Sequence, residues 1–513
     1  MRIKPFLVVL TVVLSVGALL ALLTGLSTAR AAPGAAELFV SAAGSGSACT
    51  QAAPCALQTA LSLAANGDTI YVAGGIYTGT GGAVITVTKS ITLYGGWDGA
   101  AGGPVVRDPA AYPTTLDGER ARRVVYISGD ITPTLDGFIV TRGNATGLNF
   151  ACPSNPGGCG GGIFVLSAHP VIAYNIITDN VAAVLTTTGN IGYGSGLYLN
   201  SATGAVIHHN LIISNAASTV AWGLGGGMYV GGYGNGLQVS FNQVISNAAT
   251  TTNSLGIGGG IYGGPDDALI QGNVIAGNRT NSAGIGGGAA LFQYGGAAHY
   301  LSNLVQGNTG SDAVELQYSR ARFEGNRVVD NATGEGVCLR SGSGAGPLLV
   351  NNVVARSGTR AFSAYGYDAS KLLTATLIHN TLVGTGAGYG VYGKYAVLAL
   401  TNTVVASTTT WAIYNETPAD TTIQADHTLF FNAPNHASSG VVSTAEITGD
   451  PVFVDPAGGD FHIGAGSAAL DGGATTVITT DIDGDPRPVG PAPDIGADER
   501  RLQVYLPLVL RGY

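Results

Sequence analysis

The stretch Asn210–Gly232 reads NLIISNAASTVAWGLGGGMYVGG, and nearly the same phrase returns along the chain. Two asparagines stand five apart around an apolar triplet. A glycine tract follows, then an apolar–aromatic–apolar step. Related asparagine pairs open at Asn175 (NIITDN), Asn242 (NQVISN), Asn273 (NVIAGN), Asn303 (NLVQGN) and Asn326 (NRVVDN). Degenerate copies follow at Asn352, Asn380, Asn402 and His427, with steps between 22 and 35 residues. A period in this range, carried by short alternating apolar runs and turn glycines, is the signature of a stacked array. Each copy holds about three strand-sized pieces and therefore makes one coil. The array predicts an all-β chain, a right-handed parallel β-helix, in which each strand bonds to its equivalent about 4.8 Å away. A recurrent Asn then stacks on itself and satisfies turn backbone groups, so the asparagines and glycines read as structural.

The totals agree with this and remove other classes. Gly makes up 80 of 513 residues without a three-residue period, and 45% of residues are hydrophobic, which excludes collagen and argues against a disordered chain. Charged residues are 10% and the net charge is −9. With no basic run to displace counterions, nucleic acid is not an expected partner.

Arg2 and Lys4 precede an apolar run, and STARAA follows it, so residues 1–31 read as an export signal or, if uncleaved, as the only membrane contact. Cys49 with Cys55, and Cys152 with Cys159, are spaced for short loop disulfides in an oxidising compartment, and Cys338 is left over. In CALQTALSLAANGD, Leu57, Leu61 and Ala64 share one helical face, which predicts a short helix capping the open N-terminal end of the coil. The β-helix is expected over 38–449, a small β-rich module over 450–499, and an apolar tail over 500–513.

The opening CTQAAPCALQTALSLAANGDTIYVAGGIYTG, with TLYGGWDG and TTLDG after it, resembles bacterial exported β-helix proteins of the pectin-lyase-like superfamily. The end, from GDPVFVDPAGGDFHIGAGSAALDGGA to TTDIDGDPRPVGPAPDIGADE, is similar to the C-terminal module of the choice-of-anchor Q surface proteins. GGGIY and RFEGN loosely resemble words of chlamydial-type surface adhesins. These resemblances imply a secreted or bacterial cell-surface location and no particular reaction.

Strand side chains alternate faces, so the second residue after each glycine tract should point outward. Those residues are Phe164, Tyr198, Tyr229, Tyr262, Ala290, Glu315, Cys338, Phe362, Tyr392 and Tyr414. The seven aromatic ones form a candidate ladder for polysaccharide or a cell-surface glycan, since rings pack sugar C–H faces. The alternative is that the rings strengthen the sheet or lie beneath the long loops. Where the ladder breaks, Glu315 and Arg340 are the weak catalytic candidates, with Asp266 and Asp267 as the only adjacent acid pair of the repeats. A lyase would use such a cation and base, a hydrolase two carboxylates.

Asp481, Asp483 and Asp485 have Ca²⁺-loop spacing, yet Pro486 and Ala492 replace the expected Gly and Glu, leaving a turn network with Arg487 or a partial Ca²⁺ site. His208 and His209 are neighbours on a strand, expected on opposite faces and unable to share a metal. The reading that follows is a monomeric, surface-associated, non-catalytic glycan binder that requires no cofactor. A polysaccharide lyase or other enzyme acting on an acidic glycan, and a structural spacer, are the alternatives.

Overall fold

The computed structural model describes residues 35–501, apart from 149–151, 153–156, 185–190, 233–234, 282–285, 333, 341–345 and 385–387. The expected export signal, and the apolar tail beyond Arg501, lie outside the described residues. The chain divides into two compact units, Met1–Phe292 and Gln293–Tyr513.

In the first unit the opening phrase forms Leu211–Ile213, Ala216–Ser218, Trp222–Leu224 and Met228–Gly231. Each strand pairs in parallel with its equivalent one copy on: Leu211 with Gln243, Ala216 with Ala248, Gly223 with Gly256 and Met228 with Ile261. The chain is a right-handed parallel β-helix, as the repeat predicts. In the three-residue strands the middle side chain points into the coil, and Ile207 and Ile212 are wholly buried there.

Coils this tight need sharp corners, and the residues just before the asparagines make them with left-handed backbone. His209 has φ 54°, Ser214 57°, Phe241 54° and Ser246 54°. Such a conformation costs a non-glycine residue of order 1 kcal/mol. The asparagine beside each corner offsets it. Asn210 Nδ2 donates to the carbonyls of Ile172 (2.8 Å) and His208 (3.0 Å), and its Oδ1 accepts from the backbone N–H (3.0 Å) and Nδ2 (3.1 Å) of Asn175. One buried side chain thus satisfies groups on two neighbouring coils. The glycines serve close approach: a Cβ on Gly223 would lie 1.7 Å from the carbonyl oxygen of Ala249.

The only α-helix among the described residues, Leu57–Leu63, follows the Cys49–Cys55 disulfide. Leu57 and Ala60 are its buried residues, whereas Leu61 is half-buried, so the packed face is rotated slightly from the expected one. Lys89 Nζ donates to the carbonyls of Leu61 (3.2 Å), Ser62 (3.0 Å) and Ala64 (2.5 Å), closing the helix C-terminus with a cation.

In the second unit the strands Val353–Ala355, Thr381–Val383 and Val404–Ala406 are buried on both faces. Their outward side chains lie under the C-terminal segment, where Phe461, Ile463, Ala469, Ile495 and Ala497 pack with Val353, Ala355, Val383, Val404 and Ala406. That segment contributes one antiparallel pair, Phe453–Asp455 with Asp460–Ile463. Polar contacts pin it. Asn402 exchanges hydrogen bonds with the backbone of Ala474 (2.7 and 2.8 Å), and the buried Arg487 donates to His379 Nδ1 and the Asp494 carbonyl, both at 2.7 Å.

Candidate functional site

The aromatic step forms one continuous column in the first unit. Tyr126, Phe164, Tyr198, Tyr229, Tyr262 and Phe292 follow one another, with ring centroids 5.5, 5.0, 4.9, 5.0 and 5.2 Å apart. Ala290 is not a member. The Ile261 N–H donates to the Ala290 carbonyl at 2.8 Å, which makes Leu291 the equivalent of Ile261 and hands the outward place to Phe292. The glycine tract there is followed by two alanines that still belong to the corner.

The column points away from the coil interior, yet it is roofed over. Phe164 is 0% exposed, Tyr198 1% and Phe292 5%, while Tyr229 and Tyr262 are half-buried. The roof is a second layer made by the glycine tracts themselves, including Gly157–Cys159, Ile191–Tyr193 and Trp222–Leu224. Cys159 and Tyr193 pack with Phe164 and Tyr198, and the Tyr193 ring meets that of Tyr229 edge-on at 5.3 Å. The Cys152–Cys159 disulfide closes one end of this layer. Arg123 holds it down, donating to the carbonyls of Gly160 (2.9 Å) and Cys159 (2.8 Å) and lying 4.5 Å over the Phe164 ring. Burial pushes the Arg123 guanidinium down to about 10. The column is an internal stack along most of its length.

In the second unit the strands that follow the glycine tracts are organised differently. Glu335–Arg340, Arg360–Tyr365, Tyr389–Lys394 and Trp411–Asn415 lie side by side. Phe362 pairs with Val337 and Val391 and is wholly buried in the coil, so it is not an outward ladder residue. Ser363 takes that place, because this strand lacks the glycine that marks the register elsewhere. Three outward columns result. One runs Glu335, Arg360, Tyr389, Trp411; one runs Glu315, Cys338, Ser363, Tyr392, Tyr414; the third runs Gln317, Arg340, Tyr365, Lys394.

The carboxylates of this grid are buried and tied to arginines. Arg340 reaches Asp312 at 3.0 Å and Glu315 at 3.1 Å, and stacks over Tyr365 at 4.9 Å. Arg360 pairs with Glu335, donates to the Tyr365 hydroxyl and lies 3.9 Å over the Tyr392 ring. The Tyr365 hydroxyl donates to Glu335 at 2.6 Å and Ser363 donates to its other oxygen. Burial pushes the Glu315 carboxyl up to about 7, with Arg340 opposing and Asp312 and Glu335 reinforcing. Burial also raises Glu335, but the bonds from Ser363 and Tyr365 and the charge of Arg360 outweigh it, leaving Glu335 below its ordinary value. Burial and the surrounding carboxylates raise the Cys338 thiol well above its usual range. The groups that face solvent include the half-exposed Gln317, Arg340, Arg360, Tyr365, Tyr389, Lys394, Trp411 and Tyr414 and the exposed Tyr318, Tyr367, Lys371 and Glu416.

Glu315 and Arg340 are thus in contact. Asp266 and Asp267 lie in an exposed turn of the first unit, Asp267 with φ 53°. Glu335, Arg360, Tyr365, Tyr389, Lys394 and Trp411 escaped the sequence reading. Alternation carried two residues on from Ser363 and Tyr392 reaches Tyr365 and Lys394. Glu335, Arg360, Tyr389 and Trp411 stand three residues before the outward position, where simple alternation does not find them.

The aspartates of DIDGDPR diverge. Asp481 Oδ1 accepts from the backbone N–H groups of Asp483 (3.0 Å) and Asp485 (2.8 Å), Asp483 meets His462 at 2.5 Å, and Asp485 pairs with Arg501. Among the described residues, two sets of three side chains have ligand atoms within 4.8 Å of one another, Asp312 with Glu335 and Cys338, and His462 with Asp483 and Asp498. His208 and His209 do not point to opposite faces: their Nδ1 atoms are 2.9 Å apart, because His209 leaves the strand in the left-handed conformation.

No protein-family model matches the chain, and no curated protein matches it. Among solved structures it is similar to pectate lyase Pel9A, with 14% identity over 93% of this chain and 98% of that one and a TM-score of 0.39. It is similar to XylC in complex with xylose at 12% identity, covering 90% and 98%, TM-score 0.37. A third is the receptor-binding domain of the Siphovirus 9NA tailspike, at 11% identity, 77% and 74% covered, TM-score 0.33. These are likenesses of architecture.

Proposed function

We propose that this chain is an exported, surface-associated protein that binds an acidic polysaccharide, without catalysis, along the outer face of the sheet in the second unit. The observation that carries this reading is the division of labour in the grid. The carboxylates within the three columns, Glu315 and Glu335, are buried and paired. The groups left toward solvent are mainly tyrosines, a tryptophan and cations, with the exposed Glu416 hydrogen-bonded to Tyr392 and Tyr414 at the last strand. Two of the four lysines of the chain, Lys371 and Lys394, stand at this edge. Aromatic rings take sugar C–H faces, and oriented arginines take carboxylates. The two disulfides support a location outside the cytoplasm. Residues 450–499 are proposed as a choice-of-anchor Q-like module carried on the β-helix of 38–449.

The test is retention of purified protein on immobilised polyuronates and on neutral glucans, with and without Ca²⁺. Tyr389→Ala combined with Lys394→Ala should weaken polyuronate binding by about tenfold or more at an unchanged melting temperature. Equal retention by both proteins, or no binding to any polyuronate, rejects the proposal.

A second reading rests on one specific contrast. Glu315 is held up near 7 while Glu335 is held down, which is the separation an acid and a base require. Under that reading the chain cleaves the glycan it binds. Absorbance at 235 nm reports unsaturated uronates from a lyase, and new reducing ends without it report a hydrolase.

A further inference from the structure

The adjacent histidines of the first unit form an arrangement that the glycan reading does not use. His208 ends the strand Val206–His208 with its side chain outward. His209 then takes φ 54°, so the usual alternation of faces stops and both imidazoles emerge on one side. Their Nδ1 atoms are 2.9 Å apart and their ring planes are at 89°. The His209 ring is held between two aromatics from the equivalent corners of the neighbouring coils, Tyr174 at 5.1 Å and Phe241 at 5.4 Å. Tyr174 also meets His208 edge-on at 5.5 Å. Tyr174 and Phe241 are themselves in the left-handed conformation, which is uncommon for a bulky residue, and are 40% and 53% exposed. The corner therefore displays a clamped imidazole with a second one beside it, open to solvent.

The other six histidines are engaged differently. His169, His299, His427, His436 and His462 each face a carboxylate, and His379 accepts from Arg487. Only at 208–209 is the partner of an imidazole another imidazole. Two nitrogens 2.9 Å apart, each about 2.0–2.1 Å from a shared ion, subtend about 90° at that ion. That is the cis angle of a tetragonal or octahedral centre and is narrower than a tetrahedral ion prefers.

We propose that His208 and His209 are a two-imidazole chelate for a tetragonal divalent cation of the Cu²⁺ class, on the surface of the first unit. Imidazole suits such ions, and Cu²⁺ stands at the top of the affinity order for nitrogen sites.

The probe is Cu²⁺ alone, titrated into the full chain by calorimetry in a non-coordinating buffer, with electron paramagnetic resonance of the one-to-one complex. One tight site is expected, with superhyperfine structure from two imidazole nitrogens, and Zn²⁺ should bind more weakly. His209→Asn, which tolerates the left-handed backbone, and His208→Ala should each lower Cu²⁺ affinity by at least about tenfold, while His169→Asn should not. Retained affinity in both variants, absence of a stoichiometric site in the unmodified chain, or a spectrum with fewer than two imidazole nitrogens would each overturn the proposal. The spectrum of the unmodified protein decides the matter even if a variant fails to fold.

Discussion

The ring of Phe164 lies 5.0 Å from that of Tyr198, with 7° between their planes, and neither ring reaches solvent. An outward aromatic column on a β-helix looks like a docking stripe, but here the chain's own glycine tracts cover it. The rings therefore act as a second hydrophobic core outside the coil, with Arg123 as its cationic lid.

Phe164→Ala should consequently destabilise the first unit by about 3–5 kcal/mol, the range for removing a buried aromatic. Tyr229→Ala combined with Tyr262→Ala should lower the melting temperature while leaving polyuronate retention as it was. Thermal unfolding and retention measured on the same preparations check this; a loss of retention without a loss of stability would return the ladder to a binding role.

The asparagine ladder makes a separate prediction. Asn247 Oδ1 accepts from the backbone N–H and the Nδ2 of Asn215, both at 3.0 Å, and its own Nδ2 reaches the Ile212 carbonyl at 2.9 Å. Asn247→Ala strands these buried groups, so a cost of at least about 2 kcal/mol is expected in denaturant titrations. Because stacked repeats can unfold piecewise, hydrogen exchange should show the loss concentrated in coils adjoining position 247.

Glu315 gives the pH dependence a sign. Its folded value near 7 exceeds the ordinary 4.5, so the folded state holds a proton the unfolded state has released. Its contribution to stability is present below 4.5 and is lost as pH rises through 7, by up to about 3 kcal/mol. Glu315→Gln should therefore gain on the unmodified chain between pH 4.5 and 7.5 in paired melting curves. Parallel curves would show that Glu315 is not held protonated.

His462 is shifted in the same direction for the opposite reason, since there the charged form is the one favoured. Its hydrogen bond to Asp483, with Asp460 on the other ring nitrogen, lifts it to about 9 from 6.5. This stabilisation is complete below 6.5 and disappears as pH climbs through 9. His462→Gln should flatten that window and expose the C-terminal segment to proteolysis sooner. Fragments cut between 450 and 499, followed by mass spectrometry at pH 7 and 9.5, check it.

Most of the architecture is present in the sequence because it depends on local, repeated choices. The Asn–x4–Asn spacing requires two corners and one strand between them. The glycine tract requires close backbone approach, and alternation assigns Ile163, Leu197, Met228 and Ile261 to the interior. Both disulfides follow from short spacings. What the tertiary structure alone decided was what lies above each surface. Phe164 and Tyr198 are outward by alternation and buried by a roof whose strands come from glycine-rich corners. Phe362 and Phe292 exchange roles with their neighbours, since register is set by hydrogen bonds to the next coil and not by the nearest glycine. His208 and His209 share a face because one residue leaves the strand conformation. Glu335, Arg360 and Tyr365 become one network with Glu315 and Arg340 only when coils some 25 residues apart in sequence stack at strand spacing. Periodicity determines the inside of a solenoid, where every coil repeats the same contacts; its outside is determined by the residues that depart from the period.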